Sequence, residues 1–587
     1  MYYNKRTHYC GGIGPEQIGR EVILCGWVQR QRDLGGLIFI DLRDRAGVAQ
    51  CVFDHTVSKE IFDLAFGVRS ESVLCVRGEV RARSNPNPNI PTGAVEVLAS
   101  GMELLSRAQT PPFEIGDDRV SEPLRLEHRY LDLRGPKLQG YMRLRHDITQ
   151  SVRRFYDQNG FYEIETPLLT KSTPEGARDY LVPSRLYPGR FYALPQSPQQ
   201  YKQLLMVSGV DRYFQIARCM RDEDLRADRQ PDFTQIDVEM SFVDIDDVLD
   251  MNERMMAAVF KDVIGVDIPL PMKRMPYREA VERFGTDKPD LRFGFELKDL
   301  TAVTRACGFS VFEDAAMVGC VVIEGAAAEF TRKRLDRLTE FIKGLGPKGL
   351  AWHKGAESSS FAKLLSPEAL AAVEDAAGFR GERGDLLLAV AGQRPALVRS
   401  SLGALRCECA KQLGLLENNR SFEFVWITEF PLFEYSEEEG RYVACHHPFT
   451  NPMAEDIHLI DKPGGLGQCR ARAYDMVLNG YELCSGSIRI HDAGLQAKMF
   501  ELLQLTPEQT ERRFGHILKA FGYGVPPHGG VGFGLDRIVM IMAGTENIRD
   551  VIAFPKTQNA VELMMGAPDY VDGRQLEELS IRVVSEQ

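Results

Sequence analysis

Residues 213–242, YFQIARCMRDEDLRADRQPDFTQIDVEMSF, hold two runs of strand-like alternation around a highly charged loop, and no other stretch restricts the fold as much. In the second run Ile236, Val238, Met240 and Phe242 fall on one face and Gln235, Asp237, Glu239 and Ser241 on the other, because successive strand side chains point to opposite sides. The apolar face is expected to pack inward. A sheet whose second face is this polar either meets water or lines a site for a polar ligand. In the first run Arg221 and Glu223 share a parity and are expected to project together at the mouth of one hairpin. Arginine beside carboxylates suits phosphate, with a metal or an ammonium group balancing the acids. Taken alone, the loop fits a solvated hairpin with surface ion pairs better.

At 587 residues the chain exceeds what one core supports, and three or four domains are expected. No window approaches the ~18 uncharged apolar residues of a membrane span, and MYYNKRTHYC has no apolar signal-peptide core, so a soluble intracellular protein is expected. Twelve cysteines occur without a CxxC pair, and Cys407 with Cys409 has no matching second pair, which points away from structural zinc and a disulfide framework. A net charge of −12 argues against nonspecific coating of nucleic acid but leaves room for a shaped site with local basic character.

Between residues 20 and 105 the runs EVILCGWV, LIFIDLRD, GVAQCVFD, SVLCVRGEV and AVEVLAS are separated by turn residues. Five strands in about 85 residues predict a small barrel of the OB-fold kind. Arg30 and Arg32 share a strand face there, with Phe39 and Gln50 on neighbouring strands. Stacking and amide hydrogen bonds read single-stranded bases, although a barrel with a few surface arginines fits this segment equally. Residues 106–140, rich in proline and charge, read as a hinge. Leu144, Ile148, Val152 and Phe155 mark a helix that Asn159-Gly160 stops. In FYEIETPLLTKSTPEGARDY, Pro167 favours a sheet edge or an interface, and the loop from Lys171 to Asp179 is placed to close over a ligand. QSPQQYKQLLM, residues 196–206, turns into a helix with Gln199 and Lys202 near its start.

From about 286 to 416 the composition shifts to alanine, glycine and amphipathic helices, an inserted α+β domain in which KRLDRLTEFIKGL reads as a solvated helix face. Strand patterning resumes at FEFVWITEFPLFEY. In PPHGGVGFGLDRIVMIMAG, Gly530, Gly532 and Gly534 precede a helix marked by Leu535, Ile538, Val539 and Met542, with Arg537 in its first turn. Glycines permit close backbone approach and a guanidinium at a helix start suits an anion, but the order of elements does not make a Rossmann unit.

With these pieces in place the chain resembles the class II aminoacyl-tRNA synthetases. FYEIETPLL is similar to their motif 1, RCMRDEDLRADRQPDFTQIDVEMSF to motif 2 and GFGLDR to motif 3. More closely, PEGARDY, QSPQQYKQLLM, HHPFTNP, GSIRIHD and NIRDVIAFPK resemble the aspartate-tRNA ligase family, and residues 286–416, opening TDKPDLRF, resemble the insertion of its bacterial type. The resemblance runs nearly end to end and implies an α+β multidomain chain. Its parts are an OB-fold anticodon-binding barrel over 1–105, a hinge over 106–140, and a class II antiparallel-sheet catalytic domain over 141–285 and 417–587 that includes a C-terminal extension. The inserted domain lies between the two catalytic parts.

The same resemblance implies a ligase that attaches L-aspartate to tRNA(Asp) through an aspartyl-adenylate, releasing diphosphate and AMP, with charging of tRNA(Asn) left open. It implies a cytoplasmic homodimer that engages no membrane, uses Mg2+ with ATP and needs no zinc. Asp475 and Glu482 match the magnesium carboxylates, and Arg221, Glu223 and Arg537 the catalytic set. Around ATP stand Arg221, Asp222, Glu223, Gln230, Phe233, Glu482, Gly534, Leu535, Asp536 and Arg537, with Phe233 and Arg537 on the two faces of adenine. Around aspartate stand Glu175, Ser197, Gln199, Lys202, Arg221, Asp237, His446 and Arg489. Arg489 and Lys202 match the binders of its side-chain carboxylate, Glu175, Gln199 and Asp237 those of its ammonium group, and His446 or the adjacent His447 the histidine that touches it.

In the barrel Arg32, Leu34, Phe39, Gln50 and Glu96 match positions at the anticodon surface, and Leu34 leans toward the form restricted to tRNA(Asp). Where the family carries GGGS this chain has Cys484-Ser485-Gly486, whose larger side chains are expected either to narrow the pocket or to demand a different backbone angle. Glu482 and Arg489 have opposite strand parity, so a bend or bulge is required between them if both face the site. An asparagine or lysine ligase of the same subclass fits the insertion and the QSPQQYK and GSIRI contexts less well. A noncatalytic RNA-binding paralogue is disfavoured by intact Arg221, Glu223, Asp475, Glu482 and Arg537.

Overall fold

The computed structural model describes residues 3–173, 177–223, 228–355, 358–417, 419–437 and 439–584. It divides into two units, one comprising Met1–His146, Leu225–Gln230 and Ala543–Tyr570, the other Asp147–Asp224, Pro231–Met542 and Val571–Gln587. No helix among the described residues is long and apolar enough to cross a membrane.

In the first unit β1 (Glu21–Asp33), β2 (Leu37–Asp44), β3 (Gly47–Asp54), β4 (Val73–Ala82) and β5 (Val95–Ser106) close a barrel in the order β1-β2-β3-β5-β4. Its core is the inward set of the alternation, with Val22, Leu24, Val28, Ile38, Ile40, Leu42, Val76 and Val97 buried. Continued without a break, that alternation would turn Arg30 and Arg32 into the core. It breaks once. Val28 pairs with Leu42 but Arg30 pairs with Asp41, so Gln29 is bulged out and both arginines face outward. Residues 106–140, read as a hinge, carry two short helices, Glu122–Glu127 and Arg129–Asp132, and the start of a long one, Pro136–Gln158. The buried Arg129 guanidinium donates to the carbonyls of Arg549, Ile552 and Ala553, fastening the NIRDVIAFPK stretch to this segment.

The second unit is built on an eight-stranded sheet of β6 (Tyr162–Glu163), β7 (Arg212–Met220), β8 (Asp232–Ser241), β9 (Lys273–Pro276), β10 (Phe424–Thr428), β11 (Ala473–Leu478), β12 (Tyr481–Ile488) and β13 (His528–Gly534). The spatial order is β9-β10-β11-β12-β13-β8-β7-β6. Pairing is antiparallel except at the two edges, β9 with β10 and β6 with β7. Pro167 follows the two-residue edge strand β6, in keeping with its missing donor.

The hairpin is β7 and β8, but two expectations change. The strand stops at Ser241, and Phe242, at φ 56°, is exposed rather than packed inward. On the other arm β7 ends at Met220, so Arg221 and Glu223 sit in the following loop and strand parity does not place them. Instead the Arg221 amide donates to Pro231 O, closing the base of the loop.

Within the same unit a four-stranded antiparallel sheet of Leu297–Asp299, Met317–Ile323, Leu386–Gly392 and Ala351–His353, in that spatial order, lies in the inserted segment. Helix Arg332–Gly344 buries Leu335, Leu338 and Ile342 in the core with this sheet, so its charges are left on the solvated side, as the pattern predicts.

Candidate active site

The register of the large sheet assembles the polar face that the hairpin only hinted at. Across five strands Gln215, Asp237, Gly532, Ser485 and Asp475 stand directly opposite one another in one row. The next row holds Glu239, Gly530 and Ser487. Opposite residues of a ladder share a face, so these two rows are one surface. Its reverse carries Ile236, Phe533, Cys484 and Met476, all buried. Cys484 therefore lies in the core behind the site and does not narrow the pocket; of the departures from GGGS only Ser485 faces it. Gly486 is required on the reverse face, because a Cβ there would lie 2.7 Å from the Tyr474 ring and 2.2 Å from Gly530 O.

The parity conflict between Glu482 and Arg489 is resolved by the backbone. Val477 pairs with Glu482 and Met476 with Cys484, leaving Leu483 as a bulge. Val477 shares its parity with Asp475, so the extra residue brings Glu482 onto the face that already holds Ser485, Ser487 and Arg489.

At the deep end of this face four charges are buried together. Lys202, on helix Gln199–Val207, places Nζ 2.7 Å from Asp237 Oδ1 and 3.3 Å from Glu239 Oε2. Arg489 grips Glu239 at two points, Nε to Oε1 at 2.9 Å and Nη2 to Oε2 at 3.1 Å. Its Nη1 donates to Ser487 Oγ and to His447 Nε2, both at 2.6 Å. A guanidinium only donates, so His447 accepts at Nε2, and burial together with Arg489 holds its imidazole neutral. Burial works against the Glu239 charge, but Arg489 and Lys202 more than compensate and hold its pKa below the usual range. For Asp237 burial prevails over Lys202 and the pKa rises. Gly530 makes room for this arrangement, since a Cβ there would lie 2.2 Å from Glu239 Oε2. Gly532 leaves open the space in front of Asp237, where a Cβ would only touch Oδ1 at 3.6 Å.

Around the same face buried polar atoms lack protein partners: Gln199 Nε2, Asp237 Oδ2, Arg221 Nε, His446 Nε2 and Asp475 Oδ1. Such atoms can take up hydrogen bonds from a ligand or from water. The Arg221 guanidinium stands 5.1 Å from the Phe233 ring. Asp222 is bridged to Arg178 in the loop, and Glu223 is half-buried beside it. Asp536 is buried, and its carboxylate accepts the Thr234 amide, which ties the start of helix Leu535–Ala543 to β8. Arg537 from the same helix donates to the Glu482 carbonyl, Gly534 leads into it, and Leu535 is buried. Ser197 opens onto a cavity of about 300 Å³.

His446 packs its ring edge-on to Phe430 at 5.2 Å, and burial pushes its pKa down to about 4. Of the two adjacent histidines, His447 is the one against Arg489. Asp475 is buried, and desolvation with the neighbouring Glu482 charge pushes its pKa well up. A buried carboxylate with an unpartnered oxygen and a like charge beside it suits a divalent cation. Among the described residues no group of three or more His, Cys, Asp or Glu comes together to hold a metal. Glu175 lies outside the described residues. Gln230 belongs to the first unit, where its side-chain amide pairs both ways with the Lys556 backbone, at 3.0 and 2.8 Å.

Sequence reasoning missed Glu239, Ser487 and His447 as partners of Arg489. Glu239 was visible only as one more polar residue of the alternation.

The barrel carries a second, independent cluster. Arg32 stands 5.9 Å from the Phe39 ring and donates to Asp41 and Gln50 at 2.9 and 3.1 Å. Gln50 Nε2 donates to Glu96, which Arg81 also holds, and Arg83 donates to Gln50. Leu34 stands exposed at the turn. Asp41, Arg81 and Arg83 are additions to the sequence-derived set.

Residues 121–558 match the family of tRNA synthetases class II (D, K and N), and residues 22–105 the OB-fold nucleic acid binding domain. The chain is 55% identical over 589 residues to the aspartate--tRNA(Asp/Asn) ligase of Caldanaerobacter subterraneus subsp. tengcongensis, covering 99% of this chain and 98% of that protein. It is 53% identical over 591 residues to the aspartate--tRNA ligase of Staphylococcus carnosus, covering 99% and 100%. Among solved structures, an asparaginyl-tRNA synthetase from Pyrococcus horikoshii complexed with asparaginyl-adenylate superposes with a TM-score of 0.59 at 18% identity, over 94% of this chain and 98% of that one, a likeness of fold. The chain thus belongs to the class II aminoacyl-tRNA synthetases of the D, K and N group and, within them, to the bacterial-type aspartate-tRNA ligases.

Proposed function

We propose that the polar face of the large sheet activates L-aspartate with ATP as aspartyl-adenylate and that the aspartyl group then passes to tRNA, with release of diphosphate and AMP. One observation carries the choice of amino acid: two buried cations, Lys202 and Arg489, stand beside the buried Asp237, whose Oδ2 has no protein partner. Arg489 and Lys202 receive the substrate's side-chain carboxylate, and Asp237 Oδ2 receives its ammonium group. An asparagine amide would give up the charge-assisted bonds to both cations. The Gln199 amide oxygen and Glu175 join Asp237 as acceptors for the ammonium group, and Ser197 completes the set.

The α-carboxylate attacks the α-phosphorus, so positioning and charge neutralisation do the catalysis and no protein nucleophile is needed. Arg221 neutralises the reacting carboxylate and phosphate, Phe233 stacks on adenine and Arg537 covers its other side, with Glu223, Asp222 and Gly534 completing the nucleotide contacts. Held by Asp475 and Glu482, Mg2+ would draw charge off the phosphate oxygens.

The barrel cluster around Gln50 reads the anticodon of tRNA(Asp). Relatives are named aspartate--tRNA(Asp/Asn) ligase and aspartate--tRNA ligase, and Leu34 favours the form restricted to tRNA(Asp). Exposed Tyr162, Leu168 and Leu169 at the β6 edge fit the interface of a homodimer, in a cytoplasmic enzyme. Pyrophosphate exchange with aspartate, asparagine and lysine tests the reading. Exchange dependent on aspartate alone, and its loss in a folded Arg221→Ala variant, are expected; exchange with none of the three would leave only an RNA-binding module. Charging of purified tRNA(Asp) and tRNA(Asn) decides between the two tRNA readings.

A further inference from the structure

The segment that leads into the inserted α+β sheet does more than connect. Lys288, within TDKPDLRF, reaches back to β12 and places Nζ 2.9 Å from Glu482 Oε2, with Asp287 at 3.9 Å. Lys288 thus meets Glu482 directly and Asp287 at longer range, while Asp475 Oδ1, on the strand paired with β12, is left without a protein hydrogen-bond partner.

The position of Lys288 is built rather than incidental. Just beyond it the buried Arg406, on helix Pro395–Gln412 of the inserted segment, donates through Nη2 to the carbonyls of Asp290, Phe293 and Gly294 and through Nε to Phe295 O, at 2.8 to 3.3 Å. Its guanidinium also stacks near Phe284 and Phe293. Arg292 and Asp290 form a close ion pair at 2.6 Å in the same turn. One guanidinium therefore fixes the stretch that carries Lys288, and does so from a helix packed on the inserted sheet.

We propose that Lys288 is a positioning residue of the nucleotide site, the resident cation that holds Glu482 in the resting enzyme and competes with free divalent metal for it. A lone divalent ion must displace this ammonium, whereas a metal arriving with a nucleotide brings phosphate oxygens to which the ammonium can transfer. The arrangement favours entry of metal and nucleotide together. The inference rests on the aspartate-activating reading of the site.

The test uses the full-length protein. Mn2+ alone is titrated by electron paramagnetic resonance into the wild type, Lys288→Met and Lys288→Arg, without nucleotide. Lys288→Met is expected to bind free Mn2+ about fivefold tighter or more, with Lys288→Arg close to the wild type. In aspartate-dependent exchange the ATP KM of Lys288→Met should rise about tenfold while the aspartate KM stays within about twofold. Unchanged Mn2+ binding, or ATP and aspartate KM rising together, overturns the proposal. Should methionine impair folding, Lys288→Gln gives the same two readouts. Wild-type protein that shows no aspartate-dependent exchange would refute the functional reading, and the Mn2+ titration would still decide the role of Lys288.

Discussion

Arg489 and Glu239 form a two-point ion pair, with Nε to Oε1 at 2.9 Å and Nη2 to Oε2 at 3.1 Å, and both side chains are buried. Each charge is thereby neutralised before any substrate arrives. The pocket is a set of satisfied pairs that a substrate carboxylate joins, which is how cations can be kept deep in the protein without a bound anion.

Replacing Glu239 by glutamine leaves Arg489 and Lys202 with too little negative charge. Stability should fall by about 3 kcal/mol. Aspartate should raise the melting temperature of Glu239→Gln more than that of the wild type, because the ligand returns an anion to the site. Thermal melts with and without aspartate check this; equal shifts would contradict it.

Lysine cannot reproduce the fork by which Arg489 holds Glu239, Ser487 and His447. In Arg489→Lys the kcat/KM for aspartate in exchange should drop about 100-fold or more while the ATP KM stays unchanged. A parallel loss for both substrates would point to collapse of the sheet face instead.

Cys484 and Ser485 are neighbours with different tasks. Cys484→Gly removes a thiol from the buried reverse face and should cost about 1–2 kcal/mol in denaturant unfolding with the aspartate KM unmoved. Ser485→Gly should retain stability and activation. A large change in aspartate KM from Cys484→Gly would contradict the placement of that side chain.

The His446 pKa, pushed down to about 4 by burial, lies below that of an unfolded histidine. On acidification the unfolded chain therefore takes up the proton first. Stability from this residue is full above about pH 6.5 and declines toward pH 4, by up to about 1.4 kcal/mol per pH unit. The buried His447 acts in the same direction. Urea midpoints should fall less between pH 7 and pH 5 in His446→Asn than in the wild type.

Gln50 links Arg32, Arg83 and Glu96 on the barrel. Gln50→Ala should weaken tRNA charging while leaving aspartate-dependent pyrophosphate exchange intact, since the two clusters belong to different units. Equal loss of both activities would argue against a tRNA-reading role for the barrel cluster.

The barrel and the hairpin were legible because period-two alternation is a local signal. Arg32 beside Phe39 could be anticipated from neighbouring strands. The need for a break between Glu482 and Arg489 was equally legible, from parity alone, but not its location at Leu483. The outward turn of Arg30 and Arg32 depends on a similar single-residue bulge at Gln29 that nothing in the local pattern announces. Phe242 continued the apolar run by sequence, yet its positive φ turns it out of the sheet, a change imposed by the chain leaving the strand. Glu239 and Lys288 were missed for a different reason. Their partners, Arg489 and Glu482, lie far along the chain and come into reach only through the register of β8, β13 and β12 or through the Arg406 clamp.

The pairing of Lys202 with Asp237 and of Arg489 with Glu239 limits how this pocket can drift toward another amino acid. A single substitution at any of the four strands a charge inside the protein, so the path to a neutral side-chain substrate passes through intermediates that fold poorly. Double replacements that neutralise both members of a pair avoid that valley. Selectivity for an acidic substrate is therefore protected by foldability as well as by affinity, and a library aimed at altered specificity should be drawn two positions at a time.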